Sequence, residues 1–360
     1  LRAKQCAREW CRAAHRKGNM GMAKSTFQSL RLVAVMALLA AVLPYAPVPE
    51  ALAAEPCDPG GNPIVCENSK PGTPSSIWDI NNNGDPSIQG FATDMSVNVG
   101  GSIGFKVDTD ATDYALLIYR MGWYDGDGAR LIDTISPSAS LPQNQPACLT
   151  DATTNLLDCG NWGLSATWNV PTDAVSGVYI ARLVRADDGG DSHIVFVVRD
   201  DASTSDILFQ TSDTTWQAYN DYGGTSTYFG PQGRAQKVSY NRPMWTRGGT
   251  PDGRDSFFGS EYAMIRWLER NGYDVSYMSG VDTDRMDPRL LLHHEVFLSV
   301  GHDEHWSGQQ RANVEAARDA GVNLIFASGN EVYWKTRWVP SIDSSSAAHR
   351  TMVVYKETLD

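Results

Sequence analysis

An apolar run, Val296-Phe297-Leu298-Ser299-Val300, stops at Gly301 and gives way to His302-Asp303-Glu304-His305. A helical pattern over residues 309–320 follows at once. A short run without polar alternation fits a strand buried on both faces, the habit of parallel sheets. A strand running straight into a helix is half of a βαβ unit. In open sheets of that kind, ligands gather at the carboxyl ends of the strands. The turn therefore puts four ionisable side chains where an α/β fold binds its ligands. No other turn in the sequence holds as many groups able to ligate a metal or move a proton.

The same rhythm recurs on both sides. Residues 207–210, 273–277 and 322–326 read as strands. Residues 261–271, EYAMIRWLERN, read as an amphipathic helix stopped by Gly272. Strands alternating with helices predict a doubly wound, parallel α/β sheet over residues 206–360. A further strand-like run at 351–355 comes close to the last residue, so this part is expected to be incomplete at its C-terminus. Between 78 and 201 the pattern differs. Short alternating runs such as Ser96-Val97-Asn98-Val99 and Ile103-Gly104-Phe105-Lys106-Val107 are separated by turn residues, with no convincing helix. That predicts an antiparallel β-sandwich of immunoglobulin or fibronectin type. Residues 54–77 are rich in Pro, Gly, Asn and Ser and read as a tethered lead-in linker.

Charge and cysteines bear on the compartment. The chain has a formal charge of −12, yet residues 1–53 hold eight Lys and Arg against two Asp and Glu. The remainder keeps 22 basic against 40 acidic side chains, which argues against nucleic acid or an anionic membrane as partner. Lys24 and Arg31 precede an apolar run at 32–43 and then Ala51-Leu52-Ala53, a small-residue cleavage signal. This is the pattern of a secretory signal peptide cut near Ala53, with an apolar core too short to span a bilayer. Met20 or Met22 would be a natural start. Four cysteines remain after cleavage. Cys57 and Cys66 lie nine apart, Cys148 and Cys159 eleven apart, with no C-x-x-C spacing and no His nearby. Two local disulfides, Cys57–Cys66 and Cys148–Cys159, are expected in an exported protein, in preference to a zinc site.

Three constellations could carry chemistry. His302, Glu304 and His305 could ligate a metal or transfer protons. The alternative is a capping turn, with Asp303 and Ser307 satisfying N–H groups of the next helix. The tract 214–230, TTWQAYNDYGGTSTYFG, follows the first α/β strand and so shares a sheet edge with that turn. Its Tyr219, Tyr222 and Tyr228 could line a pocket, bind a hard metal as phenolates, or pack the loop. Asn330, after Ala327-Ser328-Gly329, could donate to a developing oxyanion or sit in a left-handed turn. The turn at 300–304 lacks the Ser or Cys of a nucleophile elbow, and the α/β part has no cysteine. A metal-activated water is the better hydrolytic option. The run from Asp79 to Asp85 begins like a calcium loop, but its twelfth position is Gly90, so an EF-hand is not supported. Trp78, Trp123, Tyr124 and Trp162 could be polysaccharide-stacking platforms of a non-enzymatic surface module, or they could fill the sandwich core.

The segments TWQAYN (around 214–220), GGTSTY (223–228), YAMIRWLERNGYDVSY (262–277), the GHDEHW turn and GVNLIFASGNEVYW (321–334) carry a resemblance. Together, over residues 206–340, they resemble the large, catalytic subunit of N,N-dimethylformamidase and its relatives. The upstream sandwich resembles the domain that often precedes it in secreted members. The resemblance implies a glutamine-amidotransferase-like α/β fold and a mononuclear iron (Fe) held by two tyrosines and one glutamate. Residue by residue, those ligands match Tyr219, Tyr228 and Glu304, with Tyr222 or Tyr240 competing for the second tyrosine. His302 and Asn330 match residues that shape the active site around the metal. The family also uses a carboxylate well downstream, for which this sequence has no matching position. The expectation is a secreted, metal-dependent hydrolase of a C–N amide bond. Its substrate would be a small-molecule or polymer amide, with no nucleic-acid partner and no membrane attachment after signal cleavage. A homo-oligomer is left open.

Overall fold

The computed structural model describes residues 57–247, 256–354 and 356. The expected signal peptide and its cleavage position lie outside the described residues. Between 88 and 199 two sheets share a core. Ile88–Ala92, Ser102–Thr109 and Ala166–Asn169 form an antiparallel three-stranded sheet with Ser102–Thr109 in the middle. The second sheet runs in the order Ser96–Asn98, Asp191–Arg199, Gly177–Arg185, Tyr114–Met121, Ala129–Ile135. Its first pair is parallel and the others antiparallel. Period-two alternation sorts the side chains. Ile103, Phe105 and Val107 from one sheet meet Leu116, Ile118, Tyr179, Ala181 and Phe196 from the other. Trp168 packs on Tyr179 and Phe196.

The opposite face of the five-stranded sheet is buried as well. Val178, Ile180, Val195 and Val197 join Phe209, Val275 and Tyr277 in a second core. Those last three belong to a parallel sheet in the order Val275–Ser279, Ile207–Thr211, Val296–Gly301, Asn323–Ser328. The apolar runs became its strands, and Gly308–Asp319 is the helix that follows the Val296–Gly301 turn. One expectation needs correcting. Within the strand-like run, Thr351–Val353 does not extend this sheet. Thr351–Val353 pairs instead with Lys237–Ser239 and Trp334–Val339, in a second four-stranded sheet that ends on His305–Ser307. Strand propensity marks a segment as extended but does not choose its neighbour.

The lead-in also differs from a plain tether, because Pro63–Asn68 and Ser75–Trp78 are short helices. Asn62 Oδ1 accepts from the N–H groups of Ile64 and Val65, and Pro63 occupies the first helical position. Both expected disulfides are formed. Trp78, Tyr124 and Trp162 are 2%, 1% and 4% exposed, so the surface-stacking reading loses three of its four rings.

Two buried polar contacts tie the layers together. Arg120, in the five-stranded sheet, makes a bidentate pair with Glu269 of the Glu261–Arg270 helix at 2.9 and 2.8 Å. Both side chains are fully buried. Tyr277 Oη and Asn68 Nδ2 supply the carboxylate with two more donors, each at 2.8 Å. His193 Nε2 lies 2.8 Å from the Trp78 carbonyl and Nδ1 lies 3.1 Å from Thr246 Oγ1. A carbonyl only accepts, so Nε2 carries the proton and Nδ1 accepts from the hydroxyl. Burial pushes the His193 imidazole down to about 4.

Glu269→Gln leaves Arg120 buried without its bidentate carboxylate partner, and the expected loss in urea unfolding is about 3–5 kcal/mol. A loss under about 1 kcal/mol would show the pair to be dispensable. For His193 the unfolded chain binds the proton that the folded chain refuses. Its contribution therefore weakens stability as pH falls from about 6.5 to about 4, by about 1.4 kcal/mol per pH unit. The stability difference between wild type and His193→Gln should follow that slope. A difference that stays flat over the window contradicts the assignment.

Candidate active site

The site forms beyond the carboxyl ends of the two central parallel strands, Ile207–Thr211 and Val296–Gly301. Gly301 has φ +90°, and a Cβ there would sit 3.2 Å from Ser260 Cβ and 3.5 Å from Glu261 Cγ. Glycine is what lets the chain turn off the strand at this spot. Asp303 follows, fully buried. Its carboxylate accepts from Ser299 Oγ at 2.7 Å and Gln210 Nε2 at 2.8 Å. Burial pushes it up to about 7 against those donors. Asp303 is thus a support beneath the turn and not a helix cap. Ser307 is the cap, its Oγ accepting from Gln310 N at 2.9 Å.

Glu304 is fixed by its main chain on both sides. Its N–H donates to Thr215 Oγ1 at 3.0 Å, and its carbonyl accepts from Trp334 N at 2.9 Å. The carboxylate, in a residue 4% exposed, is then reached by both expected tyrosines. Tyr219 Oη donates to Glu304 Oε2 at 3.2 Å, and Tyr228 Oη donates to the same oxygen. The two phenol rings stack with centroids 4.0 Å apart and planes 23° from parallel. His302 Nε2 lies 3.4 Å from that oxygen, and Asn330 Nδ2 lies 3.0 Å from His302 Nε2. All five residues singled out in the sequence come together. Asn330 has φ +55°, so the left-handed turn and the contact with His302 are one geometry.

The tract that carries the tyrosines is more ordered than a glycine-rich loop. Asp213–Tyr219 is a helix, and Thr227 donates to Ala218 O through both N and Oγ1, at 3.0 and 2.9 Å. That tie brings Tyr228 back over Tyr219. The two competing tyrosines are elsewhere. Tyr222 packs against the cluster of Cys159 and Trp162, and Tyr240 Oη donates to Asp213 Oδ2 at 2.9 Å.

Lys356, Glu261 and Thr215 had no reading as site groups in the sequence. Lys356 Nζ lies 2.7 Å from the Tyr228 ring centroid and 5.3 Å from that of Trp334. Burial pushes this amine down to about 7. No pattern marks a lone lysine so far along the chain. His305 is fully buried, with Nδ1 3.3 Å from Thr215 Oγ1 and its ring edge-on to both tyrosines. Burial, then the charges of Lys356 and His302, push it well below the usual imidazole range, so it stays neutral. Glu261 accepts from Ser212 N, Ser212 Oγ and Trp216 Nε1 at 2.6–2.9 Å and anchors the start of the tyrosine helix. Thr215 had a weak signal, a hydroxyl just past a strand end.

The donor set suits a hard cation. Two phenols and a carboxylate bring oxygens to one point, the donor chemistry hard metal ions select. Among the described residues, no three His, Cys, Asp or Glu side chains gather in a metal-binding group, so the tyrosine oxygens are what make this set. Burial, then the bond to Glu304, raise the Tyr228 phenol well above its usual value. Without a cation it keeps its proton. The protons that Tyr219 and Tyr228 give to Glu304 are the ones a metal among these oxygens would displace.

Comparison with known proteins bears on the family of the chain. A family model described as N,N-dimethylformamidase beta subunit-like, C-terminal, matches residues 115–360. The match begins well upstream of residue 206, inside the five-stranded sheet. The N,N-dimethylformamidase beta subunit of Paracoccus aminophilus is 31% identical over 124 residues, which cover 32% of this chain and 16% of that protein. Solved structures align only in part. Domain 1 of VCBP3 from Branchiostoma floridae has 11% identity, covers 33% of this chain and 98% of its own, and has a TM-score of 0.21. An AA10 lytic polysaccharide monooxygenase from Streptomyces lividans has 18% identity, 29% and 57% coverage, and a TM-score of 0.19. Likenesses this slight say nothing about fold or function. The family match, spanning more than half of the sequence, is what identifies it: the chain belongs to the N,N-dimethylformamidase beta subunit-like family.

Proposed function

We propose that this chain is an iron-dependent hydrolase of a C–N amide bond that works outside the cytoplasm. Residues 206–360 would be the catalytic part and 78–201 an accessory sandwich. One observation carries the reading: Tyr219 and Tyr228 from one segment and Glu304, 76 residues beyond Tyr228, aim three oxygens at one point beside His302. Family membership supports amide chemistry. The two disulfides support an oxidising compartment. Among the described residues, no helix is long and apolar enough to cross a membrane.

Tyr219, Tyr228 and Glu304 would hold the iron, which when bound supplies Lewis acidity toward a water and the amide carbonyl. The protein's own groups do the rest. His302 Nε2 faces the Glu304 carboxylate and is 19% exposed, so it can take a proton from an attacking water and return it to the leaving amine. Asn330 holds the His302 ring in place and has an amide N–H for a developing oxyanion. Neutral His305 adds no charge beside Glu304, and buried Asp303 holds the turn through Ser299 and Gln210. The substrate class is a linear amide, small or attached to a polymer.

The test is amine release from a panel of formamides, acetamides and N-alkyl amides, with iron-loaded wild type and three variants. Glu304→Gln should lose both iron and turnover. His302→Gln should keep iron while kcat falls about 10²–10⁴-fold. Asn330→Ala should lower kcat about 10²–10³-fold with little change in metal content. Iron-loaded wild type that releases no amine from any substrate, or Glu304→Gln with unchanged iron and turnover, would refute the proposal.

A further inference from the structure

Arg242 is 1% exposed and ends in four main-chain carbonyls. Nη2 donates to Gln217 O at 3.0 Å and Asn220 O at 2.8 Å. Nη1 donates to Thr225 O at 3.1 Å and Tyr222 O at 3.3 Å. All four lie in the segment 217–225, which ends the Tyr219 helix and leads toward Tyr228. A buried guanidinium whose bonds all go to neutral carbonyls is a costly arrangement, since the Asp221 and Asp158 carboxylates act on it only through space. The segment it grips has an intrinsic reason to wander. Gly223 and Gly224 both stand in the left-handed region, with φ +82° and +90°. Two adjacent glycines leave such a turn little stiffness of its own. Part of what Arg242 holds is the carbonyl end of a short helix, where a cation is favoured and carbonyls lack partners.

We propose that Arg242 is a positioning residue that sets where the Tyr219 and Tyr228 phenols stand, acting through the main chain between them. The planar fork matters as much as the charge. A guanidinium offers five N–H donors in fixed directions and reaches several carbonyls at once, whereas an ammonium is a point charge. The inference rests on the reading above that these phenols work with Glu304. It adds that their geometry is built by an arginine which touches neither hydroxyl.

The experiment separates the two ideas. Amide hydrogen exchange is measured on metal-free wild type, Arg242→Ala and Arg242→Lys. Ferric iron is then titrated into each, with absorbance followed in the visible region. In Arg242→Ala the amides of 220–229 should exchange at least about tenfold faster, while those of Phe105, Val107 and Ile180 keep their wild-type rates. Iron affinity should fall about 10–100-fold, and added guanidinium chloride at millimolar concentration should recover part of it. Arg242→Lys should lie between wild type and Ala in exchange, and it is the variant to read if Ala does not fold. Wild-type exchange rates across 220–229 in both variants would overturn the proposal. So would acceleration spread evenly over the whole chain. A wild type that takes up no iron would refute the metal reading, and the exchange measurement would still decide whether Arg242 clamps the segment.

Discussion

A carboxylate buried at the end of a strand has to be satisfied, and the architecture around Glu304 follows from that requirement. Removing an ion of this kind from water costs several kcal/mol unless donors replace the solvent. Here the donors are two phenols brought in from another part of the chain, with a histidine beside them. Glu304 is itself held by its main chain, between Thr215 and Trp334. Thr215 and Tyr219 stand on one helix, so the element that holds the Glu304 main chain also brings a phenol to its carboxylate.

The supporting layer is built in the same way. Asp303, Asp213 and Glu261 are all buried behind the site. Each is bonded by neutral donors, and burial raises each above the ordinary carboxylate range. Glu261 fixes the start of the helix that ends in Tyr219, and Thr227 returns the loop to that helix so that Tyr228 lies on top. Further out, the Arg120–Glu269 pair fastens the five-stranded sheet to the layer below. The two phenols therefore rest on nested polar contacts.

The sequence shows some of this and hides the rest for identifiable reasons. Val296–Gly301 was legible because a strand buried on both faces leaves an unbroken apolar run, and a glycine marks its end. His302, Glu304 and Asn330 were legible as candidates because they stand just past such strands, where an open sheet gathers its ligands, although a turn role accounted for them as well. Tyr219 and Tyr228 were not separable from loop packing on residue type alone, and it was family resemblance that raised them. The helix Asp213–Tyr219 escaped notice because it is seven residues long and buried nearly all round, so it has no amphipathic stripe. The second sheet escaped because the partners of Thr351–Val353 are fixed by tertiary packing. Arg120 and Glu269 stand 149 residues apart, and nothing local in either pairs them.

The central claim is that Tyr219, Tyr228 and Glu304 form a metal centre. Elemental analysis of the purified protein, with a visible spectrum of the same sample, tests it most directly. The account predicts about one iron per chain and a tyrosinate-to-iron charge-transfer band that weakens and shifts in Tyr219→Phe and is lost when Tyr228 is also changed to Phe. Colourless protein that takes up no iron even when ferric or ferrous salt is supplied would contradict it.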